Sequence, residues 1–384
     1  MSNFTPDEPG HKTHFDHLLI TSVLLLTGAG LVTLYSASYS FAELFYNGNK
    51  WHFVARQSML AGFGLVFLIV IANLKMKTLR MMIMPVVLAA IALCLLTFVP
   101  GIGAKLNDAQ RWIKFGKWTF QPSELVKLIL PIYLAHIFDK KKEYLNSFVS
   151  GVLPPTVITA LFFVLIQKQN NFSTALFVAM NALTLFYLAG VRMSYFISAT
   201  IMLIPISFLL VFTEEHRLLR IVSWLRPDLV NPLGATYQVN ASISTIASGG
   251  FWGKGIGQGI RKIRSVPEVQ SDFVFASYAE EAGFIGVLLF VLLFVFFAWR
   301  GYKTALKQTT IFKKLLVCGL VNSIVLQALL NIAVVSGSVP TTGIPLPFFS
   351  AGGSSVAVTL MACGFIINAS RGEDDIQNNE DDYE

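Results

Sequence analysis

Charge is what this sequence has least of. Asp, Glu, Lys and Arg make up 13% of its 384 residues, about half the roughly 25% of a soluble domain, and 54% of the chain is hydrophobic. That balance excludes a water-soluble globule. The 32 Phe and 11 Tyr exclude a disordered chain, which needs low hydrophobicity and high charge. Cysteine is scarce too. Cys94, Cys318 and Cys363 lie inside apolar runs with no paired spacing, which argues against a disulfide framework or a zinc site and leaves core packing as their role. Walker A, HExxH and GxSxG sequences are missing, so ATP-driven transport, zinc proteolysis and serine hydrolysis have no support. The amino terminus carries three acids and His11, His14 and His17 before the first apolar run. It does not resemble a cleavable signal peptide, so the first helix is expected to be retained.

Long apolar runs are what the chain has in quantity. Stretches able to cross ~30 Å of hydrocarbon at 1.5 Å per residue cover 17–40, 53–73, 81–100, 121–138, 148–167, 172–190, 193–213, 272–299, 315–336 and 350–370. They predict an all-α polytopic membrane protein of about ten transmembrane helices, with a long extracytoplasmic loop, 214–271, between helices seven and eight. Residues 1–16 form a cytoplasmic amino-terminal segment, 17–371 the membrane domain, and 372–384 an acidic cytoplasmic tail. The fifth and sixth runs are separated only by Gln167-Lys168-Gln169-Asn170-Asn171, which predicts a tight hairpin.

Lys and Arg in short loops set the orientation. With the amino terminus inside, the cytoplasmic segments hold fourteen of them and the short outer loops six, so both termini are expected in the cytoplasm. The net charge is +7, although seven acids crowd into the last twelve residues. A basic body on such a chain points to membrane orientation and anionic headgroups before nucleic acid. The outer loops 101–121 and 214–271 are themselves basic. Either an anion binds there, or translocated loops merely tolerate the charge.

Polar groups inside apolar runs are costly and mark pathways or sites. Gln121-Pro122-Ser123-Glu124 opens the fourth helix, with Pro122 suited to its first turn and Glu124 and Lys127 as i,i+3 neighbours. A neutralising pair in a buried helix explains those two as well as a site does. The glycine-rich run from Gly249 to Gly259 lacks the strand and helix of a dinucleotide fold and reads as a close-packed re-entrant loop. Ser271 is expected to cap the eighth helix, which places Asp272 at its outer end and Glu280 and Glu281 roughly 12 Å deeper. Those glutamates could instead be structural partners of Lys127 or Arg56. Segment 336–355, with its prolines and glycines, cannot form a regular helix and must be buried in protein or line a cavity. Pro345, Pro347, Ser350, Gly352, Gly353 and Ser354, together with Glu280, are read as cavity wall.

Taken together, these motifs resemble the SEDS family of peptidoglycan polymerases, which includes the division protein FtsW and the elongation protein RodA. The resemblance spans nearly the whole chain: Tyr35-Ser36-Ala37-Ser38, Arg56-Gln57, Arg111-Trp112-Ile113, Gln121-Pro122-Ser123-Glu124, Asp272-Phe273-Val274-Phe275-Ala276 with Glu280-Glu281, and Pro345-Leu346-Pro347-Phe348-Phe349-Ser350 with Gly352-Gly353-Ser354-Ser355. Gly257 to Lys262 and Val335 to Gly343 look more like division members than elongation members.

The resemblance implies a glycosyltransferase acting on lipid II at the outer face of the inner membrane, at the division septum for a division member. An acceptor hydroxyl attacks the donor's anomeric carbon, and undecaprenyl pyrophosphate leaves with inversion. It implies Asp272 as the catalytic residue, a role for which a carboxylate in a groove is chemically suited as general base. By motif, Arg111 and Lys127, with Gln121 and Glu124, are expected to hold the substrate and its pyrophosphate, with Arg217 and Arg220 added by position. The implied partners are lipid II, a class B penicillin-binding protein supplying transpeptidation, and other divisome membrane proteins, with no nucleic acid. No cofactor is required by the sequence, and a divalent cation, Mg or Mn, is left open. One departure stands out: where the family usually carries an acid between helices five and six, this chain has Asn171, which predicts a structural hydrogen-bonding role there. The rival class is a lipid II transporter, and a third is a passive scaffold.

Overall fold

Each of the ten predicted apolar stretches contains a helix in the computed structural model, which describes residues 15–106, 109–116, 118–212, 214–226, 235–259 and 270–371. These are α1 (His17–Phe45), α2 (His52–Asn73), α3 (Met76–Leu96), α4 (Pro122–Lys140), α5 (Leu153–Lys168), α6 (Phe172–Leu188), α7 (Met193–Phe212), α10 (Val274–Leu306), α11 (Ile311–Val335) and α12 (Ser354–Ser370). Two more, α8 (Glu215–Leu225) and α9 (Ala235–Ser248), fall in the segment expected to be a long loop. Among the described residues six helices are long and apolar enough to cross a membrane, namely α1, α2, α3, α5 with its preceding turn, α10 and α11. The amino-terminal segment through residue 14, the acidic tail, and Arg261, Lys262 and Arg264 of the outer loop lie outside the described residues.

Helix α4 is the centre of the bundle. Leu130, Leu134, Ala135 and Phe138 are at most 1% exposed, and the helix packs against α3, α5, α6, α11 and α12. A helix apolar on all sides is stable only when surrounded. In lipid, where tails are as apolar as Leu, close backbone approach replaces the hydrophobic effect as the packing force. Gly30 of α1 shows this: a Cβ there would sit 2.3 Å from the carbonyl oxygen of Phe348.

The connection expected as plain loop at 101–121 is a three-stranded antiparallel sheet, β1 (Gly103–Leu106), β2 (Ala109–Phe115) and β3 (Trp118–Phe120). Phe115 pairs with Trp118 across a two-residue connection, and Gly116 takes φ 59° there, the positive φ that such hairpins require. Side chains alternate along β2. Ala109 and Ile113 are buried at 5% and 1% exposure, and Arg111 shares their face.

Helix α10 is also not the single rod expected. Gly283 adopts φ 62°, ψ −167° inside it, a conformation that favours glycine, so Val274 to Ala282 is one helical piece and the long apolar rod follows the kink. The glycine-rich loop packs into that break: Lys254 and Gly255 donate backbone N–H groups to the carbonyls of Glu280 and Glu281, and Phe284 donates to Gly250. The expected close packing of this loop is present, and the kink is its counterpart.

One end of the bundle is fastened by short polar links. The Asp16 carboxylate lies 2.5 Å from Arg300 Nη2, and its backbone N–H donates to Ser370 Oγ. Arg80 pairs with Asp139, which also accepts from Phe312 N–H. Asn368 donates to the Ile71 and Leu74 carbonyls at 2.8 and 2.7 Å. The starts of α1, α3 and α11 and the ends of α2, α4, α10 and α12 therefore meet at this end, and the connections α3–α4, α5–α6, α7–α10 and α11–α12 meet at the other.

Candidate active-site cavity

Those four connections enclose a cavity of about 510 Å³, within the size range of small-ligand sites. Arg111 enters it from β2, Asn170 to Ser173 from the α5–α6 turn, Arg217 and Arg220 from α8, Asp272 from the segment before α10, and Val339 to Ile344 from the α11–α12 connection. Phe208 and Phe212 of α7 complete an apolar side. Both are more than half exposed, at 60% and 63%.

Asp272 does not sit on a helix. The ordered turn runs through residue 273 and the helix begins at Val274, with Phe273 in the cap position and no side-chain cap bond. Ser271 is therefore not the cap, because the chain turns once more before helical geometry begins. The consequence is that Asp272 projects from a turn into the cavity wall. Its carboxylate approaches Gly343, where a Cβ would lie 3.4 Å from Oδ2.

The cavity charge is unbalanced. Among the described residues, three arginines and one carboxylate line it. Burial pulls the Arg111 guanidinium below the usual arginine range, the Asp272 carboxylate opposes that pull, and the Arg220 charge adds to it. Burial likewise lowers Arg220 against the same Asp272, and lowers Arg217 against Glu214. Arginine stays protonated in proteins, so partly desolvated positive charge faces the cavity and an anionic ligand relieves it. The Arg111 guanidinium stacks 4.3 Å from the Trp112 ring and that of Arg217 lies 5.4 Å from Phe172, aromatic contacts that help to hold both side chains.

The other expected site residues are elsewhere. Glu124 and Lys127 form a 2.7 Å ion pair in the bundle interior and do not line the cavity. Gln121 donates to Ser123 Oγ at 2.9 Å, and its backbone N–H to Ser354 Oγ at 3.4 Å. Glu280 is fully buried and pairs with Lys254 at 2.7 Å, while Glu281 accepts from Ser36 at 2.6 and 2.7 Å. The α10 kink thus turns both glutamates toward the glycine-rich loop and α1, whereas Lys127 is held by Glu124 and Gln327. Pro345, Pro347, Ser350, Gly352, Gly353 and Ser354 also lie off the lining. They form packing behind it: Ser350 Oγ accepts from Leu346 N–H at 2.8 Å, and its carbonyl accepts from Gln57. The non-helical segment divides, with 339–344 on the cavity and the proline-rich part buried in protein. Asn171 does line the cavity, and its side chain donates to Ser123 at 3.3 Å.

Sequence reasoning missed Asn170, Phe172, Phe208, Phe212 and Thr342, all on the lining. Apolar residues in apolar helices carry no local mark, and Asn170 gains meaning only from the cavity its turn shares with chain-distant Arg217.

The fold and site define a polytopic membrane protein with a cavity at one end of its helices whose described lining holds three arginines and one carboxylate. The chain belongs to the FtsW/RodA/SpoVE family, described as "Cell cycle protein", whose model matches residues 16–375. It is 35% identical to the stage V sporulation protein E of Bacillus subtilis over 94% of this chain and 98% of that protein. It is 34% identical to a probable peptidoglycan glycosyltransferase FtsW of Geobacter metallireducens, over 93% and 94%. Its fold matches a chain of the solved peptidoglycan synthase complex described as coordinating polymerization and crosslinking, with a TM-score of 0.77, 26% identity and coverage of 94% and 99%.

Proposed function

We propose that this chain polymerises lipid II into glycan strands, with Asp272 as general base. The acceptor hydroxyl attacks the donor's anomeric carbon, the bond to pyrophosphate breaks with inversion, and the acceptor proton passes to the Asp272 carboxylate. Arg111, Arg217 and Arg220 take the charge of the leaving pyrophosphate through charge-assisted hydrogen bonds, and the exposed Phe208 and Phe212 offer the polyprenyl chain a way to the lipid. The observation that carries this reading is that Asp272 lines one cavity with three arginines, and its negative charge favours the protonated form of two of them, Arg111 and Arg220. A divalent cation would find one carboxylate among the described residues of this lining, Asp272, and would draw the rest of its shell from substrate phosphates, as Mg²⁺ commonly does.

The cavity belongs on the outer face of the inner membrane, with both termini cytoplasmic, as the charge bias directs. Division is the favoured setting, since the curated relatives include proteins named FtsW, and RodA-like elongation is the alternative. Crosslinking falls to a separate partner, a class B penicillin-binding protein, alongside other divisome proteins, because the chain carries no transpeptidase serine motif. A transporter would need cations and acids reaching both ends. At the opposite end two such pairs, Arg80 with Asp139 and Arg300 with Asp16, are spent on each other.

Purified protein in detergent, where no second leaflet exists, is expected to convert labelled lipid II into glycan chains. Asp272→Asn should lower that rate by about 10²–10⁴-fold, the usual cost of losing a general base. A variant within about threefold of the parent at equal abundance, far short of that range, would remove Asp272 from the chemistry.

A further inference from the structure

A residue in a turn has no helical ladder to fix its backbone, and Asp272 is such a residue. Its carbonyl oxygen accepts from Asn331 Nδ2 at 2.9 Å, and the same nitrogen donates to the Ile344 carbonyl at 2.9 Å. A carboxamide nitrogen has two hydrogens, one for each acceptor. Asn331 projects from α11 and is 1% exposed, so water cannot replace it. One turn earlier on α11, Gln327 donates to the Pro345 carbonyl at 2.7 Å and accepts from Lys127 Nζ at 2.8 Å. Lys127 is in turn held by Glu124. Behind the cavity, therefore, a buried polar ladder runs from α4 through α11 to the two irregular segments that carry Asp272 and Gly343.

We infer that Asn331 is a positioning residue for Asp272, with Gln327 supporting the segment Asn331 grips. The inference rests on the proposed role of Asp272. Asn331 does not line the cavity and takes no part in proton transfer. It sets where the carboxylate stands relative to the arginines and Gly343, and misplacement on the order of 1 Å costs on the order of 10²-fold in rate. Asn331→Leu keeps the volume and removes both bonds. Asn331→Asp keeps the shape but turns oxygens toward two carbonyls. Asn331→Gln retains the donor on a chain one methylene longer.

Steady-state polymerisation is measured on monodisperse protein, so that kcat refers to folded molecules, with Leu329→Ala as the lipid-facing control, since Leu329 is 59% exposed. Asn331→Leu and Asn331→Asp should lower kcat at least about tenfold with KM for lipid II held within about threefold, the split expected when geometry and not binding is lost. Asn331→Gln should recover part of the loss, and Leu329→Ala should match the parent. A merely structural Asn331 would lower yield or melting temperature while leaving kcat at the parental value, and that result overturns the inference. Should neither Leu nor Asp variant fold, Asn331→Gln decides: reduced kcat at parental KM supports it and parental kcat overturns it. Asp272→Asn in the same assay separates the two levels. If it is inactive while Asn331→Leu is parental, the inference alone fails; if it is active, the functional reading fails with it.

Discussion

Glu124 and Lys127 close a 2.7 Å ion pair one turn apart on α4, with their side chains 5% and 6% exposed. The lysine's charge is therefore spent inside the bundle, and under the proposed function the burden of holding pyrophosphate falls on Arg111, Arg217 and Arg220, which line the cavity. A buried pair is costly to halve. Lys127→Met should destabilise the protein by about 3–5 kcal/mol, because it strands a carboxylate in the interior, whereas Glu124→Gln with Lys127→Met should cost much less. Thermal melting of detergent-purified protein checks this, and a double variant no more stable than the single one would contradict it.

The cavity arginines should behave differently. Arg111→Gln and Arg220→Gln are each expected to weaken lipid II use by roughly 10–100-fold, the worth of about 1.5–3 kcal/mol for a hydrogen bond to a charged group, while leaving melting temperature near the parent's. Kinetics over a range of lipid II concentrations reads the effect. An unchanged kcat/KM in both variants would take the arginines out of the substrate site.

Asp16 gives a pH dependence. Burial pushes its carboxyl up, but the Arg300 hydrogen bond and charge and the Leu19 and Leu18 backbone bonds outweigh that and hold it below the usual range. A carboxyl lowered on folding adds stability that is fully present above the unfolded value, about 3.9, and is lost as pH falls through the folded value. The melting-temperature gap between parent and Asp16→Asn should thus be constant at neutral pH and close on acidification below about pH 4. A gap that widened on acidification would reverse the sign and refute the clamp.

Topology is open to labelling. Gln258→Cys, in the glycine-rich loop, should react with a membrane-impermeant thiol reagent added to intact cells, and Lys307→Cys, at the end of α10, should not. Cys94 and Cys363 are buried and Cys318 partly so, which keeps the background low. Reaction at Lys307→Cys alone would invert the orientation.

The helices were legible because burial in lipid demands long apolar runs, and each of the ten runs holds a helix. Asp272 was legible as a rare charge at the outer end of an apolar segment, whereas Arg111 was legible only through the motif it shares with the family. The sheet at 103–120 was not read, since β1 and β3 are only four and three residues long and β2, AQRWIKF, does not alternate apolar with polar residues. Nor was the Gly283 kink, because a lone glycine in an apolar helix looks the same whether its φ is negative or positive.

Composition and apolar run length thus suffice for the class of solvent and the helical content, which depend on each residue's own transfer energy and near neighbours, while the charged candidates came from motif resemblance and position. How that set divides is a matter of packing. Lys127 and Arg111 are both cations of the segment that leads into α4, yet one is neutralised by Glu124 within its own helix and the other is carried by β2 to the cavity it shares with Asp272. The first pairing is local and was open to reading in the sequence; the second requires knowing that chain-distant Asp272 stands in the same cavity as Arg111, and that is settled where the cavity-end connections come together.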